Sequence, residues 1–356
     1  MVSTKLKGLI IIACIITGVI SVLLAPIQIA TYKGTDAIDY STTVQQINLV
    51  ADIESSNIFI EYATEPDADL INITYLYTIR HSMLISAPNI TVTLDNSTLG
   101  TVLTVLLTIR FPWLIFSTIG YTKTIITINP SIISNLSIRV DTGNIYLNST
   151  NYQNKTYVNI DLLTASGNVE ADIVEDSNIL GYLYAISISG NADLMVDDNV
   201  YIGGPLCVNT SSGNVDITLN ENVTLNSKFI SRTLSGNIIF RSNNISLNNN
   251  EIKSYLLSTS GNIEAIFYQW LEPTGNLSLK IDIVSGNIRL TMRLEDDYIS
   301  SQINTSTPSG TTTIALLHTG YNIVSENLIS TTTLSSNFDA DLETNSGNIY
   351  ISATRT

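Results

Sequence analysis

The chain has 356 residues, of which 44% are apolar, enough to build a substantial core and to exclude global disorder. Only 13% are charged and the net charge is −15, a surface that repels phosphate backbones and leaves no place for nucleic acid as a partner. Asn, Ser, Thr and Ile are abundant, which suits strands and turns rather than long helices, so an all-β fold is expected.

In chain order, the first element is apolar. Residues 6–25 carry a single charge, Lys7, and the apolar character continues to Ala30, long enough to cross a bilayer. Lys5 and Lys7 favour a cytoplasmic N-terminus. Residues 1–30 are therefore expected to be a transmembrane signal anchor. The chain would contact the membrane through residues 6–30 and place everything beyond on the cell exterior. Cleavage as a secretory signal is an alternative. So is cleavage after Gly8, because Lys7-Gly8-Leu9-Ile10 resembles a class III, pilin-type signal of archaea. Sequons at Asn72, Asn89, Asn96, Asn135, Asn148, Asn154, Asn209, Asn222, Asn244, Asn276 and Asn304 are compatible with an exterior, glycosylated protein.

Residues 31–136 form a second region. Within it, residues 47–61, with Ser55-Ser56-Asn57-Ile58, look like a degenerate first unit of the repeat described below. Residues 71–136 are expected to be an insertion or cap. The apolar stretch 99–119 holds Arg110 and Pro112, and a central Arg costs about 2.5–3.5 kcal/mol in a bilayer. It is expected to be a hairpin with strands at 101–109 and 113–119 and a turn at Arg110-Phe111-Pro112.

Residues 137–356 repeat. A Ser-Gly-Asn turn, or a close variant, recurs at Gly143-Asn144, Gly167-Asn168, Gly190-Asn191, Gly213-Asn214, Gly236-Asn237, Gly261-Asn262, Gly286-Asn287 and Gly347-Asn348. Ser309-Gly310 and Ser336-Asn337 are less regular members. Along the regular part the glycines are 23 to 25 residues apart. The runs flanking each turn alternate, as in Val215-Asp216-Ile217-Thr218-Leu219, the period of a half-buried strand. A period near 24 is one coil of a parallel β-solenoid, or β-helix, and too short for a propeller blade. Gly supplies a positive φ, Asn tolerates the neighbouring left-handed region, and stacked Asn amides are expected to bond to one another as a ladder. Ser is expected to close the turn with its hydroxyl. These residues are thus structural. Thr274-Gly275-Asn276 and Ser336-Asn337 each lie 11 residues before a main turn, which suggests a second corner in some coils.

The Ser-Gly-Asn-(Ile/Val) repeats behind an N-terminal anchor resemble the putative-adhesin family of β-strand-repeat envelope proteins of bacteria and archaea, and the composition resembles an archaeal member. The resemblance covers residues 137–356 and extends to 47–61. It implies a β-helix-like solenoid at the cell surface and no particular enzymatic activity.

The residues that could carry chemistry are few. In register with the turns, Glu170, Asp193 and Asp216 should stack on consecutive coils, with Ile239, Glu264 and Arg289 following. That row reads as a solvated acidic face, with a weak cation site or a catalytic carboxylate group as the sharper alternatives. Glu295-Asp296-Asp297 and Asp197-Asp198 read as turn acids. His81 and His318 are the only histidines and have no sequence neighbours that would make a metal site or triad. Trp113 and Trp270 could stack on sugars but suit packing better. Cys14 and Cys207 read as small hydrophobes. The expectation is a membrane-anchored, non-enzymatic extracellular β-solenoid for adhesion or surface scaffolding, without cofactor or metal. Its partners would be surface glycans, proteins or further copies of itself. The alternatives are a carbohydrate-active β-helix enzyme and a pilin-like filament subunit.

Overall fold

A computed structural model describes residues 27–39, 43–65, 68–82, 90–111, 117–149, 152–249, 251–271, 275–295, 299–316, 321–324, 327–330 and 336–355. The described chain is all strand and turn, wound as a parallel β-solenoid. Alternation decides the inside: Val215, Ile217 and Leu219 are buried, and Asp216 and Thr218 between them face outward. The same residue of each coil then stacks on its equivalent. One such column is Val169, Ala192, Val215, Ile238, Ile263 and Ile288, and across the core Phe229 stacks on Phe240 of the facing strand with ring centroids 4.6 Å apart, Phe240 meeting Phe267 of the next coil at 5.2 Å.

Each regular coil contributes one strand to each of two long sheets. Sheet 1 runs, in spatial order, through Ile27–Ile38, Ile71–Ser82, Ser117–Ile128, Asn57–Tyr62, Ile145–Asn148, Val169–Ile173, Ala192–Val196, Val215–Leu219, Ile238–Asn243, Ile263–Gln269, Ile288–Leu294, Ile349–Arg355 and Thr312–Leu316. Sheet 2 runs through Thr91–Leu99, Val102–Arg110, Gln46–Ser55, Ile133–Thr142, Thr156–Ser166, Leu183–Ser189, Leu206–Ser212, Phe229–Ser235, Glu251–Ser260, Asn276–Ser285, Ser336–Ser346 and Gln302–Ser306. A short third side pairs Asn178–Ile179, Tyr201–Ile202, Thr224–Leu225 and Ser246–Leu247.

The two ends depart from chain order. At the N-terminal end, the coil at 46–62 stacks directly against the coil at 133–148, and the strands Val102–Arg110 and Ser117–Ile128 form a further layer outside it. The expected hairpin is therefore corrected. Val102–Arg110 pairs with Thr91–Leu99 across a turn at Gly100, while Ser117–Ile128 lies in the other sheet. The reason is physical: the apolar alternation of 102–110 matches the core of its neighbour in Gln46–Ser55, so it continues the solenoid. Antiparallel strands Ile27–Ile38 and Ile71–Ser82 extend sheet 1 past this coil. Because a strand begins at Ile27, residues 27–30 are not part of a membrane helix; residues 1–26 of the expected anchor lie outside the described residues. Among the described residues no helix is long and apolar enough to cross a membrane.

At the C-terminal end, the last coil in sequence, 336–355, is inserted between the coil at 276–294 and the coil at 302–316. Ser336-Asn337 thus opens a strand of the Gly347 coil and is a second corner rather than a coil of its own. Asn276 Oδ1 accepts the Asn337 N–H at 2.8 Å across that corner.

Lys155 is 1% exposed and sits where the N-terminal region meets the regular coils. Its ammonium donates to the Pro130 and Ile132 carbonyls and lies 4.1 Å from the Tyr62 ring centroid. Burial lowers its pKa to about 7.

Candidate functional site

The turn that identifies the sequence is a corner between the sheets. Its glycines have φ between 133° and 152°, and a Cβ on Gly213 would lie 2.1 Å from the Gly190 carbonyl oxygen of the coil beneath. Gly is required because one coil rests on the carbonyl of the last. The Asn residues stack, but differently from the expected amide ladder. Each Oδ1 accepts the main-chain N–H of the next Asn, at 2.7 Å for Asn168 on Asn144, 2.9 Å for Asn191 on Asn168 and 2.9 Å for Asn214 on Asn191. The row continues through Asn237, Asn262, Asn287 and Asn348 to Thr311, and in the other direction to Asn57. Amide-to-amide bonds accompany it at Asn262 and Asn287.

The corner hydroxyl is also corrected. Ser189, Ser212 and Ser235 are exposed, and the acting hydroxyl belongs to the residue two before each. Ser187 Oγ donates to the Gly167 carbonyl at 2.7 Å, Thr210 Oγ1 to Gly190 at 2.7 Å and Thr233 Oγ1 to Gly213 at 3.1 Å. With the Asn N–H captured by a side chain, the Gly carbonyl takes its donor from this hydroxyl. The working motif is (Ser/Thr)-X-Ser-Gly-Asn-(Ile/Val), and the recurrent hydroxyl three before each Gly was the available signal.

Besides the second corner that the echo at Thr274-Gly275-Asn276 suggested, sequence reasoning missed a further, left-handed corner. Asn154, Asp176, Asn199, Asn222 and Asn244 have φ between 49° and 59°, the left-handed region that Asn and Asp enter at least cost. Asn199 donates to Asp176 Oδ1 at 3.1 Å and Asn222 to Asn199 Oδ1 at 3.3 Å. The recurrence of Asn or Asp three residues before a buried apolar or aromatic side chain, as in Asp176 before Ile179 and Asn222 before Leu225, was the signal. Asp197 and Asp198 belong to this corner, where Asp198 accepts the Glu221 N–H at 2.8 Å. Of the turn acids at 295–297, only Glu295 is among the described residues.

On the outward face of sheet 1, register places Glu170 beside Asp193, Asp193 beside Asp216, then Ile239, Glu264 and Arg289. Arg241 reaches back to Asp216 at 2.7 Å, and Asp172 flanks the row, so these side chains line a shallow depression of about 380 Å³. Partial burial, then the neighbouring Asp216 and Glu170 charges, push Asp193 up to about 6. Partial burial, then the Glu170 and Asp197 charges, raise Asp172. Among the described residues no group of three His, Cys, Asp or Glu is arranged to hold a metal ion.

The outward face of sheet 2 has the opposite character. Its centre carries Leu163, Tyr184, Ile186, Ile188, Cys207, Ile230, Leu234 and Leu257, with Tyr182 and Tyr184 stacked at 4.4 Å. Cys207 faces outward, half-buried, and accepts from Asn209 Nδ2 at 2.9 Å; burial raises its thiol pKa. Charged pairs border this centre, Arg139–Asp141 on one side and Lys280–Asp282 on the other.

The remaining candidates are dispersed. Trp270, partly exposed at the end of its strand, stacks on Tyr268 with centroids 5.5 Å apart, and Arg293 covers Tyr268. Trp113, His318, Cys14 and Asn89 lie outside the described residues, and His81 is buried. Among the sequons, Asn96, Asn148, Asn154 and Asn222 are exposed. Asn244 is 5% exposed and its Oδ1 accepts the Trp270 N–H, so the structure removes it as a glycosylation site. Asn135, Asn276 and Asn304 engage their amides in cross-coil bonds, and Asn72 and Asn209 are half-buried in strands.

The fold and its corners define a class, the capped parallel β-solenoid with two long ladder faces. The chain belongs to the Toastrack DUF4097 family, whose match covers residues 47–352. That span starts at the coil read as a degenerate first repeat. Among curated proteins none matches. Similar solved structures include a putative adhesin from Parabacteroides distasonis, with 10% identity over 89% of this chain and 97% of that one and a TM-score of 0.39. Another, a putative adhesin from Bacteroides fragilis, has 11% identity over 90% and 97% and a TM-score of 0.34. A putative cell adhesion protein from Clostridium sporogenes has 11% identity over 91% and 100% and a TM-score of 0.24. At such scores the likeness adds nothing to an architecture that rests on strand register.

Proposed function

We propose that the protein is a non-enzymatic β-solenoid held at the cell surface by its N-terminal apolar segment, where it serves adhesion or surface scaffolding. The observation that carries this reading is the regularity of the outward faces. Each presents the same side-chain positions in register over a dozen strands, and the conspicuous motif is consumed by corner geometry. Exposed sequons at Asn96, Asn148, Asn154 and Asn222 and the lysines before the apolar segment support the exterior placement. The test is a glycan array and whole-cell binding screen with the full chain in mild detergent, paired with protease accessibility on intact cells. Saturable binding with the solenoid protease-accessible is the expected result; a solenoid protected inside the cell would refute it. N-terminal sequencing addresses the filament-subunit alternative, which requires a chain beginning at Leu9.

One observation favours a second reading, a carbohydrate-active enzyme. Asp193, held protonated to about pH 6, stands beside Asp216, which is ion-paired to Arg241. A carboxyl of raised pKa beside a carboxyl ion-paired to arginine is the kind of pairing that glycoside hydrolysis uses. Release of reducing ends from polysaccharides, abolished by Asp193→Asn, would establish it; equal inactivity of both proteins would dismiss it.

A further inference from the structure

We infer that the outward face of sheet 1, over its C-terminal coils, binds an acidic polysaccharide whose sugar rings carry carboxylates at intervals, a step that rests on the adhesion reading and names its class of ligand. The groups that would hold it are Arg289, Arg293, Tyr350 and the Tyr268–Trp270 pair.

Alternation along the strands puts these side chains on one surface. Glu264, Ile266 and Tyr268 point outward from Ile263–Gln269. Register sets Arg289, Thr291 and Arg293 beside them, and Tyr350 and Ser352 beside Arg289 and Thr291. Two tall rows result, one of Glu264, Arg289 and Tyr350 and the other of Tyr268 and Arg293. They are four residues apart along the strand, about 13 Å, and the row between them carries the short side chains of Thr291 and Ser352.

Each tall row joins an arginine to an aromatic ring. Tyr350, 42% exposed, borders a shallow depression of about 320 Å³ together with Arg289, Glu264 and Asn287. Arg289 is well exposed, and its contact with Glu264 is a loose 3.7 Å, so the protein does not consume its guanidinium. In the other row Tyr268 and Trp270 stack with 9° between their planes, and the Arg293 guanidinium lies 5.8 Å from the Tyr268 centroid. None of the ion pairs among the described residues includes Arg293. The main chain holds this platform in place. Asn244 Oδ1 accepts the N–H of Trp270 at 2.8 Å and of Leu271 at 3.2 Å, and buried Gln269 donates to the Leu271 carbonyl at 2.8 Å. A surface ordered in advance loses little entropy on binding.

The chemistry selects the occupant. An aromatic face suits the C–H face of a sugar ring, and a guanidinium pairs with a carboxylate through two parallel N–H donors. The combination occurs twice, about 13 Å apart, which calls for a ligand that itself repeats ring and carboxylate. Charge selects the place. Glu170, Asp172, Asp193 and Asp216 crowd the same face on earlier coils, with Arg241 alone among them. Here the outward strand positions hold two arginines against Glu264, with Glu295 following past the strand end. An anion is repelled from the first half of the face and accepted on the second. A nucleic acid, charged at every unit, would gain two arginines and meet the repulsion of a net charge of −15. A polysaccharide with spaced carboxylates meets far less.

The test is calorimetric titration of the full chain in mild detergent and low salt with hyaluronan, polygalacturonate and alginate oligosaccharides. Saturable binding of at least one is expected, weakening as salt is raised and falling at least tenfold when its carboxyls are reduced to alcohols. Arg289→Gln and Arg293→Gln should each weaken it at least fivefold, and Trp270→Ala at least tenfold. Lys280→Gln removes an equal charge from sheet 2 and should leave the affinity unchanged. In a Trp113→Phe background Trp270 is the only tryptophan, and its fluorescence should shift on binding. Far-ultraviolet circular dichroism checks each variant; should Trp270→Ala disturb the fold, the two exposed arginines still decide. Absence of saturable binding for all three oligosaccharides would overturn the inference. So would equal binding of the carboxyl-reduced forms, or a loss on Lys280→Gln as large as that on Arg293→Gln. Cell binding without binding of these oligosaccharides would sink this inference and leave adhesion standing. Arginine-dependent oligosaccharide binding by a solenoid protected inside the cell would do the reverse.

Discussion

Gly213→Ala tests whether the corner is built as described. The new Cβ would lie 2.1 Å from the Gly190 oxygen and 2.6 Å from its carbon, far inside contact distance, and both are backbone atoms that cannot rotate away. Gly213 also has φ of 151°, a region essentially closed to residues with a Cβ and worth about 1–3 kcal/mol of strain. Relieving the overlap separates two coils at the point where Thr210 donates to Gly190 and Asn214 to Asn191, each bond contributing about 1 kcal/mol. Together these predict a loss of about 3–5 kcal/mol. Gly100→Ala is the control, because Gly100 also has positive φ, 62°, yet nothing lies within 4 Å of its added Cβ. It should cost about 1–2 kcal/mol, the left-handed penalty alone. Urea unfolding of the full chain, with hydrogen exchange to locate the weakened coils, measures both. If Gly213→Ala costs no more than Gly100→Ala, coil-on-carbonyl stacking is not what the glycine is for.

Further outcomes follow from the same geometry. Thr210→Val keeps the shape but leaves the Gly190 carbonyl without its hydroxyl donor, and should destabilise by about 1–2 kcal/mol in urea unfolding, whereas Ser212→Ala at the exposed neighbour should be near neutral. Asp193, raised to about 6 from 3.8, binds its proton more tightly folded than unfolded, so its contribution to stability declines as pH rises from about 4 to 6. Asp193→Asn should abolish that decline in a thermal-melt series, with a gain on the order of 1 kcal/mol at pH 7 after solvent screening. Lys155, lowered to about 7 from 10.5, does the reverse: the unfolded chain holds the proton more tightly, so stability rises between about pH 7 and 10.5. Lys155→Met should flatten that rise, and an unchanged slope would place the alkaline titration elsewhere.

The period, the parallel winding and the inward residues were legible because a two-residue alternation and a recurrent Gly are local signals repeated many times. Glu170, Asp193 and Asp216 could be aligned from sequence alone because the glycines set the register. What partner each corner group would choose was not legible. An Asn side chain can reach an amide or a main-chain N–H with equal ease, and only the path of the Gly carbonyl decides which is free. Thr210 passed for an ordinary core alternation, although its place three before Gly213 recurs at Thr164, Ser187 and Thr233. Sheet 2's apolar centre escaped notice for a similar reason: Ile188 and Leu234 are separated by 46 residues and come to share one row, two strands apart, only through the coil.

The ends were misread because coil order is not a local property. Residues 101–109 alternate in a way that fits a hairpin or a coil equally well, and what settles the matter is a free sheet edge beside Gln46–Ser55. That edge has a consequence for the whole molecule. A solenoid whose first and last coils in sequence were also outermost in space could fray from either terminus, since each coil contacts only its neighbours. Here the coil at 46–62 is covered by the strands Val102–Arg110 and Ser117–Ile128, and the coil at 336–355 by the one at 302–316. Neither can leave until its cover does, and the antiparallel strands Ile71–Ser82 and Thr91–Leu99 tie the N-terminal cover down. At that end the outermost parallel strand of sheet 2 is paired with antiparallel Thr91–Leu99, so the edge left there is an antiparallel strand carrying exposed Asp95, Asn96, Ser97 and Thr98, a polar edge of the kind that disfavours further strand pairing.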